Sequence, residues 1–526
     1  MSEKLSTILS EIIQAASELE KDVTDLTRDE YLASSAREVG SNRQIINHGG
    51  WRELVTLAVD AIDEADEDET FYITDEVPEA ETYVITWAQN ATEICPTTLG
   101  ILEKYCEHNN AKLMVIPGRY KNTLSKDDYW WDEKLVPYLT KGRLKIGEHC
   151  VAYGDISIQP TAVTPLTGFE VFAGAASAVF GHPKLQLQTV ASEDRMARIF
   201  TTTGAVTKKN YREAKAGAKA AEHHIFGAAI VETDGDLFHL RQLVVDKNGE
   251  AYDLDKVYTP DGVRDAEAAA VFVPGDLHVE KMTEENKKSL SDIIDFFEPE
   301  HMVVHDVLDF DVRNHHRRKD LIDRIKRANG HKCDLVEEEV LETCAYLYDL
   351  SKCVSKLHVV RSNHDEAFER WLNETWPMQD PFNAPFWFKT WAAMSEEAVQ
   401  GNTINPFEYW FHEWDWQDCS NVHFLERNES LKIKNIAFNF HGDKGINGAR
   451  GSLNQFSKLG TKSVVGHSHS PGIRDGAWQT GVGGPLDMGY NNLPSSWMNT
   501  HCIVYANGKR CLINVMAGGR WRRKVK

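Results

Sequence analysis

Hydrophobic and polar positions repeat along this chain with two periods, and the period changes with position. In the first sixty residues the spacing is helical. Leu5, Ile8, Leu9, Ile12, Ile13 and Ala16 fall on one helix face among acidic neighbours. Thr27 reads as an N-cap, with Glu30 completing a capping box. The short helix it starts should break at Gly40. Ser41 caps a second segment, and Gly49-Gly50 breaks that one before Trp51 opens a third. Three short helices with tight glycine turns fit a helix-turn-helix, or a small bundle used for packing or assembly. Farther along, apolar runs shorten to strand length. "TYVITWA" (82–88) and "KLMVIPGRY" (112–120) predict buried strands on either side of a helix around 98–110. Two more strands are expected at 225–232 and 237–245, flanking the turn "DGD". From about residue 268 the character shifts, and apolar runs end repeatedly in Asp, His or Asn.

Composition sets limits on this picture. The chain has 526 residues, enough for several domains, and 42% of them are apolar, which supports a buried core. The acidic run "DEADEDE" (63–69) marks a composition boundary. The expected organisation is a helical module over 1–75, a mixed α/β domain over 76–265 and a third domain over 266–526 with an aromatic-rich insertion at 366–434. The fold class is α/β (α+β). A net charge of −22 argues against adhesion of the whole surface to nucleic acid, though not against a local basic groove. The nine cysteines form no CxxC pair or even framework, which fits a reduced intracellular protein. The first residues lack the basic start and apolar core of a signal peptide, and "VFAGAASAVF" (171–180) is too short to cross a bilayer. A soluble, cytoplasmic protein with no membrane partner is expected.

The chemistry concentrates at five stations. "VFVPGDLH" ends a strand in Asp276 and His278, and "HMVVHDVLDF" runs to Asp306 with Asp309 just beyond. "LHVVRSNHDE" ends in Asn363, His364 and Asp365. "NIAFNFHGD" ends in His441, and "KSVVGHSHS" in His467 and His469. Side chains alternate along an extended chain, so each D-x-H or H-x-H pair faces one way. Strands that end at one sheet edge bring their terminal loops together. Five such loops can deliver oxygen and nitrogen ligands to one spot. With no Cys among them, the set suits Mn²⁺, Mg²⁺, Fe or Zn²⁺ rather than a structural thiolate zinc.

The order D-x-H, D-x-x-D, N-H-D, H, G-H-x-H over roughly 268–526 resembles that of the calcineurin-like metallophosphoesterases. The resemblance implies a β-sandwich flanked by helices and two divalent ions, Mn²⁺ preferred over Mg²⁺, Fe²⁺ and Zn²⁺. Asp276, His278, Asp306 and His469 would hold the first ion, and Asp306, Asn363, His441 and His467 the second. His364 would be the acid beside the leaving oxygen, and Asp365 would orient it or hold the loop. A metal-bridging hydroxide would attack phosphorus. Two residues depart from the family pattern. His305 and Ser362 stand where the family usually has glycine, which is tolerable if their φ stays negative. Asp309 is the alternative to Asp306 as the bridge.

Substrate class is read from the neighbourhood. The run 309–332 carries Arg313, Arg317, Arg318, Lys319, Arg324, Lys326 and Arg327, a polyanion track or the solvated face of an amphipathic helix. The chain resembles the Mre11-type nucleases of the family, which place a His just beyond the bridging Asp. Here Asp309 has that position, and His315 or His316 could substitute. Seven of fourteen tryptophans lie in the insertion, a core and subunit interface or a base-stacking surface. The segment "TTTGAVTKKNY" (201–211) could hold a phosphate or be a plain loop. A front module, then "VIPGRYKN" (115–122), then "NHHRRKD" resembles the layout of the pre-early DNases of large tailed phages, which degrade host DNA. The first expectation is thus a DNase with DNA as substrate, forming a homo-oligomer in the host cytoplasm. The alternatives are a small-molecule phosphomonoesterase or cyclic-nucleotide phosphodiesterase, and a non-catalytic DNA-binding or assembly protein.

Overall fold

A computed structural model describes residues 3–19, 23–34, 51–52, 54–58, 79–120, 130–171, 176–193, 197–314, 322, 325, 334–414, 416–489, 491 and 494–523. The chain divides into two compact units, Met1–Ile73 and Thr74–Lys526. In the first, a helix over Glu3–Glu18 buries Ile8, Leu9, Ile12 and Ala16, four of the six positions on the expected face. Thr27 caps Arg28–Ala33, and the reciprocal bond from Glu30 is present. Gly40, Ser41, Gly49 and Gly50, on which the helix-turn-helix reading turns, lie outside the described residues, as do the acidic run 63–69 and Lys121 and Asn122 of "VIPGRYKN".

The second unit is mixed α/β with several sheets. A four-stranded sheet joins Thr82–Gln89 and Lys112–Gly118 in parallel, with the helix Pro96–Asn109 between them in sequence. The hairpin Gly227–Asp234 with Leu237–Val244 completes it around "DGD". A six-stranded sheet follows the order Val422–Leu425, Lys356–Val360, His301–Val304, Val271–Val273, Thr500–Val504, Arg510–Asn514. Its first four strands are parallel and so share one C-terminal edge. A ten-stranded sheet contains Ile436–Ala437, Lys462–Val465 and Ala477–Gln479 in parallel. It continues through Gly472–Arg474 into Gln186–Val190 and on to Arg143–Ile146. Strands from both sides of the expected 265/266 boundary therefore share one sheet.

Period two decides what the central sheet touches. Val271, Val273, Val303, Val360, Cys502 and Val504 point into a core shared with Val464, Ile473, Trp478 and the four-stranded sheet. Their alternates Phe272, Met302, Val304, Leu357, Val359 and Ile503 face a second core, built with the helices Glu284–Phe297, Val336–Lys352, Asp365–Glu374, Ala384–Gln400 and Pro406–Glu413. One face thus packs on sheet and the other on helix. The tryptophan-rich insertion supplies much of the helical core: Trp371, Trp387 and Trp410 are buried, while Trp376 and Trp391 stay exposed. The 201–211 segment is strand and buried loop up to Thr207. Among the described residues no helix is long and apolar enough to cross a membrane.

Candidate metal centre

Each station lies just past a strand end, and two sheets contribute. The six-stranded sheet delivers Asp276, His278, Asp306, Asn363 and His364. The ten-stranded sheet delivers His441, His467 and His469. Ligand atoms of Asp276, His278, Asp306 and His469 lie within 4.8 Å of one another, as do those of Asp306, His441 and His467. Asp306 belongs to both groups. A third group, His278, Asp309 and His364, adjoins them.

The contacts show how tightly these side chains are drawn together. His278 Nε2 and His469 Nε2 face each other at 3.1 Å. His469 Nε2 is 3.2 Å from Asp276 Oδ2, which also accepts the His467 backbone N–H at 2.6 Å. His441 Nε2 sits 3.2 Å from Asp306 Oδ2 and 3.1 Å from Asn363 Oδ1. The His441 and His467 rings meet edge-on at 5.1 Å. Asp276, His278, Asp306, His441 and His469 are all buried. Yet Asp276 Oδ1, both Asp306 carboxylate oxygens, His441 Nδ1 and His469 Nδ1 find no hydrogen-bond partner among the described residues. Buried carboxylates without donors are costly. Hard oxygen and imidazole donors with unmatched lone pairs around one point fit divalent cations.

The backbone is bent to make this possible. His278, Asp306, His467 and His469 have φ of 46°, 43°, 72° and 57°, the left-handed region that side chains other than glycine rarely adopt. His305 and Ser362 do not have positive φ, so replacing the expected glycines carries no backbone strain there. Gly466 is needed for another reason: a Cβ on it would overlap Asp276 Oδ1. Loop-to-loop bonds lock the turns, with Leu277, His278 and Val279 N–H donating to the carbonyls of His305, Asp306 and Val307.

Electrostatics follow from this crowding. Burial disfavours the Asp306 carboxylate, but His441 and His364 outweigh it and hold the carboxyl well below its usual range. Burial disfavours charge on His441, and Asp306 beside it pushes its pKa up to about 9. His364 is likewise raised by Asp306 and Asp309 against the effect of burial. The His305 ring nitrogens find no hydrogen-bond partner among the described residues, and burial pushes its pKa down to about 4, a neutral ring 5.7 Å from His441.

Sequence reasoning missed the support around these groups. Asp309 Oδ1 lies 2.9 Å from His278 Nδ1 and 3.2 Å from His364 Nδ1, so one carboxylate orients both rings. Asp309 is therefore an orienting group, and Asp306 holds the central position. Glu280 accepts the Asp309 N–H at 2.9 Å, and burial with the nearby Asp309 charge pushes it up to about 8. Glu339 takes the N–H groups of Asp311 and Val312. Of the two roles read for Asp365, the contacts fit holding the loop: it accepts from Leu308 N–H, Ser362 N–H and the Ser362 hydroxyl. Arg313 is buried against Asp380 and Asp334, with Nη1 2.6 Å from Asp334 Oδ1, so its charge is already paired within the fold. His315, His316, Arg317, Arg318 and Lys319 lie outside the described residues.

No family model matches the chain. Two structures of Vps29 from Chaetomium thermophilum, one complexed with a cyclic peptide, align at 13% and 11% identity. They cover 35% of this chain and 96% of their own, with TM-scores of 0.21 and 0.20, too low to carry weight. Protein A1 of Escherichia phage T5 is 35% identical over 466 residues, which span 84% of this chain and 83% of that protein. At that identity and coverage, the chain belongs to the family of phage T5 Protein A1.

Proposed function

We propose that the chain is a phosphodiesterase that cleaves DNA with two divalent cations, of the Mre11-type nuclease branch of the metallophosphoesterases. The observation that carries this is Asp306: one buried carboxylate shared by two His/Asp groups, with His441 at 3.2 Å but no well-aligned hydrogen bond to either oxygen among the described residues. Asp276, His278, Asp306 and His469 would hold one ion, and Asp306, Asn363, His441 and His467 the other. Bound there, the ions supply Lewis-acid activation of water and neutralise charge at phosphorus. The protein's own residues do the rest. Asp309 fixes the tautomer and tilt of His278 and His364. His364 is, with His467, one of two partly exposed imidazoles of the cluster, with 20% of its side chain open to solvent, and Asp306 and Asp309 favour its protonated form. That proton suits the departing oxygen of a phosphodiester. DNA as substrate rests on the sequence order of the stations and on the basic residues Arg317, Arg318, Lys319, Arg324, Lys326 and Arg327 that follow Asp306. A place in host-DNA degradation rests on the resemblance of the module layout, and membership of a phage family fits a role during infection.

The test is digestion of duplex DNA with Mn²⁺, with and without EDTA, for the native protein and Asp306→Ala. Cleavage that needs metal and falls at least about a hundredfold in the variant is expected. Equal cleavage by both proteins would sink the reading. Inert DNA with turnover of small phosphate esters would replace the substrate and keep the centre.

A further inference from the structure

A second cleft, of about 550 Å³, opens at the opposite ends of the strands that build the centre. Lys462 starts the strand whose far end delivers His467 and His469. Roughly 13 Å of extended chain separates Lys462 from Gly466. Arg510 pairs with Val504, which pairs with Val271 at the start of the strand that leads to Asp276. The cleft is therefore not an arm of the metal centre.

Its charge is unbalanced. Asp475 is matched, with Oδ1 2.7 Å from Lys184 Nζ and 3.1 Å from His223 Nδ1. Glu222 stands at the exposed rim. Three cations remain. Arg510 is buried, lies 4.7 Å from the Trp478 ring centroid and donates through Nη1 to the carbonyls of Ser463 and Gly476 at 2.8 Å. No carboxylate meets it among the described residues. Neither Lys462 nor Lys509 makes a side-chain hydrogen bond or ion pair among the described residues. Asp246, whose charge reaches Lys509, is already taken by the Asn507 side chain and the N–H groups of Asn248 and Glu250. Burial lowers all three, Arg510 to about 10, and repulsion from neighbouring cations adds to it at Lys462 and Lys509. A chain of net charge −22 keeps three unmatched cations on one cleft.

We propose that this cleft binds a phosphate-bearing anion through Lys462, Lys509 and Arg510. A phosphate monoester carries about −1.5 to −2 charge and three strong acceptor oxygens, which answers three cations better than a single carboxylate does. Ammonium groups meet phosphate as point charges, and a guanidinium adds directed N–H donors. Pockets of about 300–1,000 Å³ accept ligands of nucleotide size. The phosphate can be free or part of a nucleic-acid strand.

Both sources are separable by calorimetry on the full chain in EDTA, so that no result depends on the metal centre. The probes are inorganic phosphate, deoxyadenosine monophosphate and a short single-stranded oligonucleotide without terminal phosphates. The native protein is expected to bind at least one of them. The double variant Lys462→Gln, Lys509→Gln should bind it at least about tenfold more weakly, since both lost contacts are charge-assisted. Both lysines reach solvent, so the fold should survive, checked by circular dichroism. Weakened binding of phosphate or the mononucleotide identifies a free-anion site. Weakened binding of the oligonucleotide alone identifies a strand contact. Either supports the proposal. No binding of any probe by the native protein, or equal binding by the double variant, overturns it. An Asp306→Asn background should give the same outcome, which separates this test from that of the cleavage reading.

Discussion

Asp306 sits in a left-handed backbone turn, as do His278, His467 and His469. Each such residue costs on the order of 1–3 kcal/mol, held in place by bonds such as His278 N–H to the Asp306 carbonyl. The glycine before His467 has a different task, because it leaves room for the Asp276 carboxylate. Gly466→Ala should therefore keep its circular dichroism while losing about 10–100-fold in Mn²⁺ affinity, the range seen when groups that position ligands are disturbed. Calorimetric titration of the metal measures this, and unchanged affinity would mean that Asp276 is not a ligand. Residues with both a strand-end position and a ligand-type side chain were legible in the sequence, and the seven candidates named that way lie together in the structure. Glu280 and Glu339 were harder to see, and Asp309 was read as an alternative bridge rather than as an orienting group. Glu339 lies in "VEEEVLE", which reads as the exposed acidic first turn of a helix; only the tertiary fold turns one of its acids inward onto the Asp311 N–H.

At the scale of elements, one cation of the basic segment after Asp306 serves the fold. Arg313 joins that segment to Asp380 in the insertion and Asp334 before the helix Val336–Lys352. Arg313→Ala leaves buried Asp380 without a cation, with the Asn383 amide still donating to it, and should destabilise the protein by about 3–5 kcal/mol. Urea unfolding checks this; unchanged stability with weakened DNA binding would return Arg313 to the substrate. The helix Pro406–Glu413 carries a second test. Burial and then the charge of Glu426 push Glu408 up to about 7. Its native pKa exceeds its unfolded value, so the folded state holds the proton more tightly. Its contribution is complete below about pH 4 and is lost as pH rises through 7. Glu408→Gln should flatten the fall in stability between those limits, as read from melting temperature against pH. A fall as steep as the native protein's would assign it to other groups. The aromatic insertion read either as core and subunit interface or as a base-stacking surface, and several of its tryptophans are core. Which of them stay exposed is set by neighbours distant in sequence.

At the scale of the whole molecule, sheet membership defies chain order. Strand positions such as Thr82–Gln89 were visible as apolar runs, but nothing local announces that Gln186–Val190 pairs with Gly472–Arg474. A fragment starting at residue 266 would bare the edge of Gly472–Arg474 and the apolar face that packs on the four-stranded sheet. It should aggregate or stay unfolded, as size-exclusion chromatography and circular dichroism would show. A monomeric, cooperatively folded fragment would refute this. The same pairing has a consequence during translation. Gln186 leaves the ribosome about 290 residues before its partner Arg474. At about 5–20 residues per second, that strand waits roughly 15–60 s for its partner. An actively translating cell thus holds a standing population of half-made chains with an open sheet edge, and the yield of finished protein depends on how well chaperones cover that edge until synthesis ends.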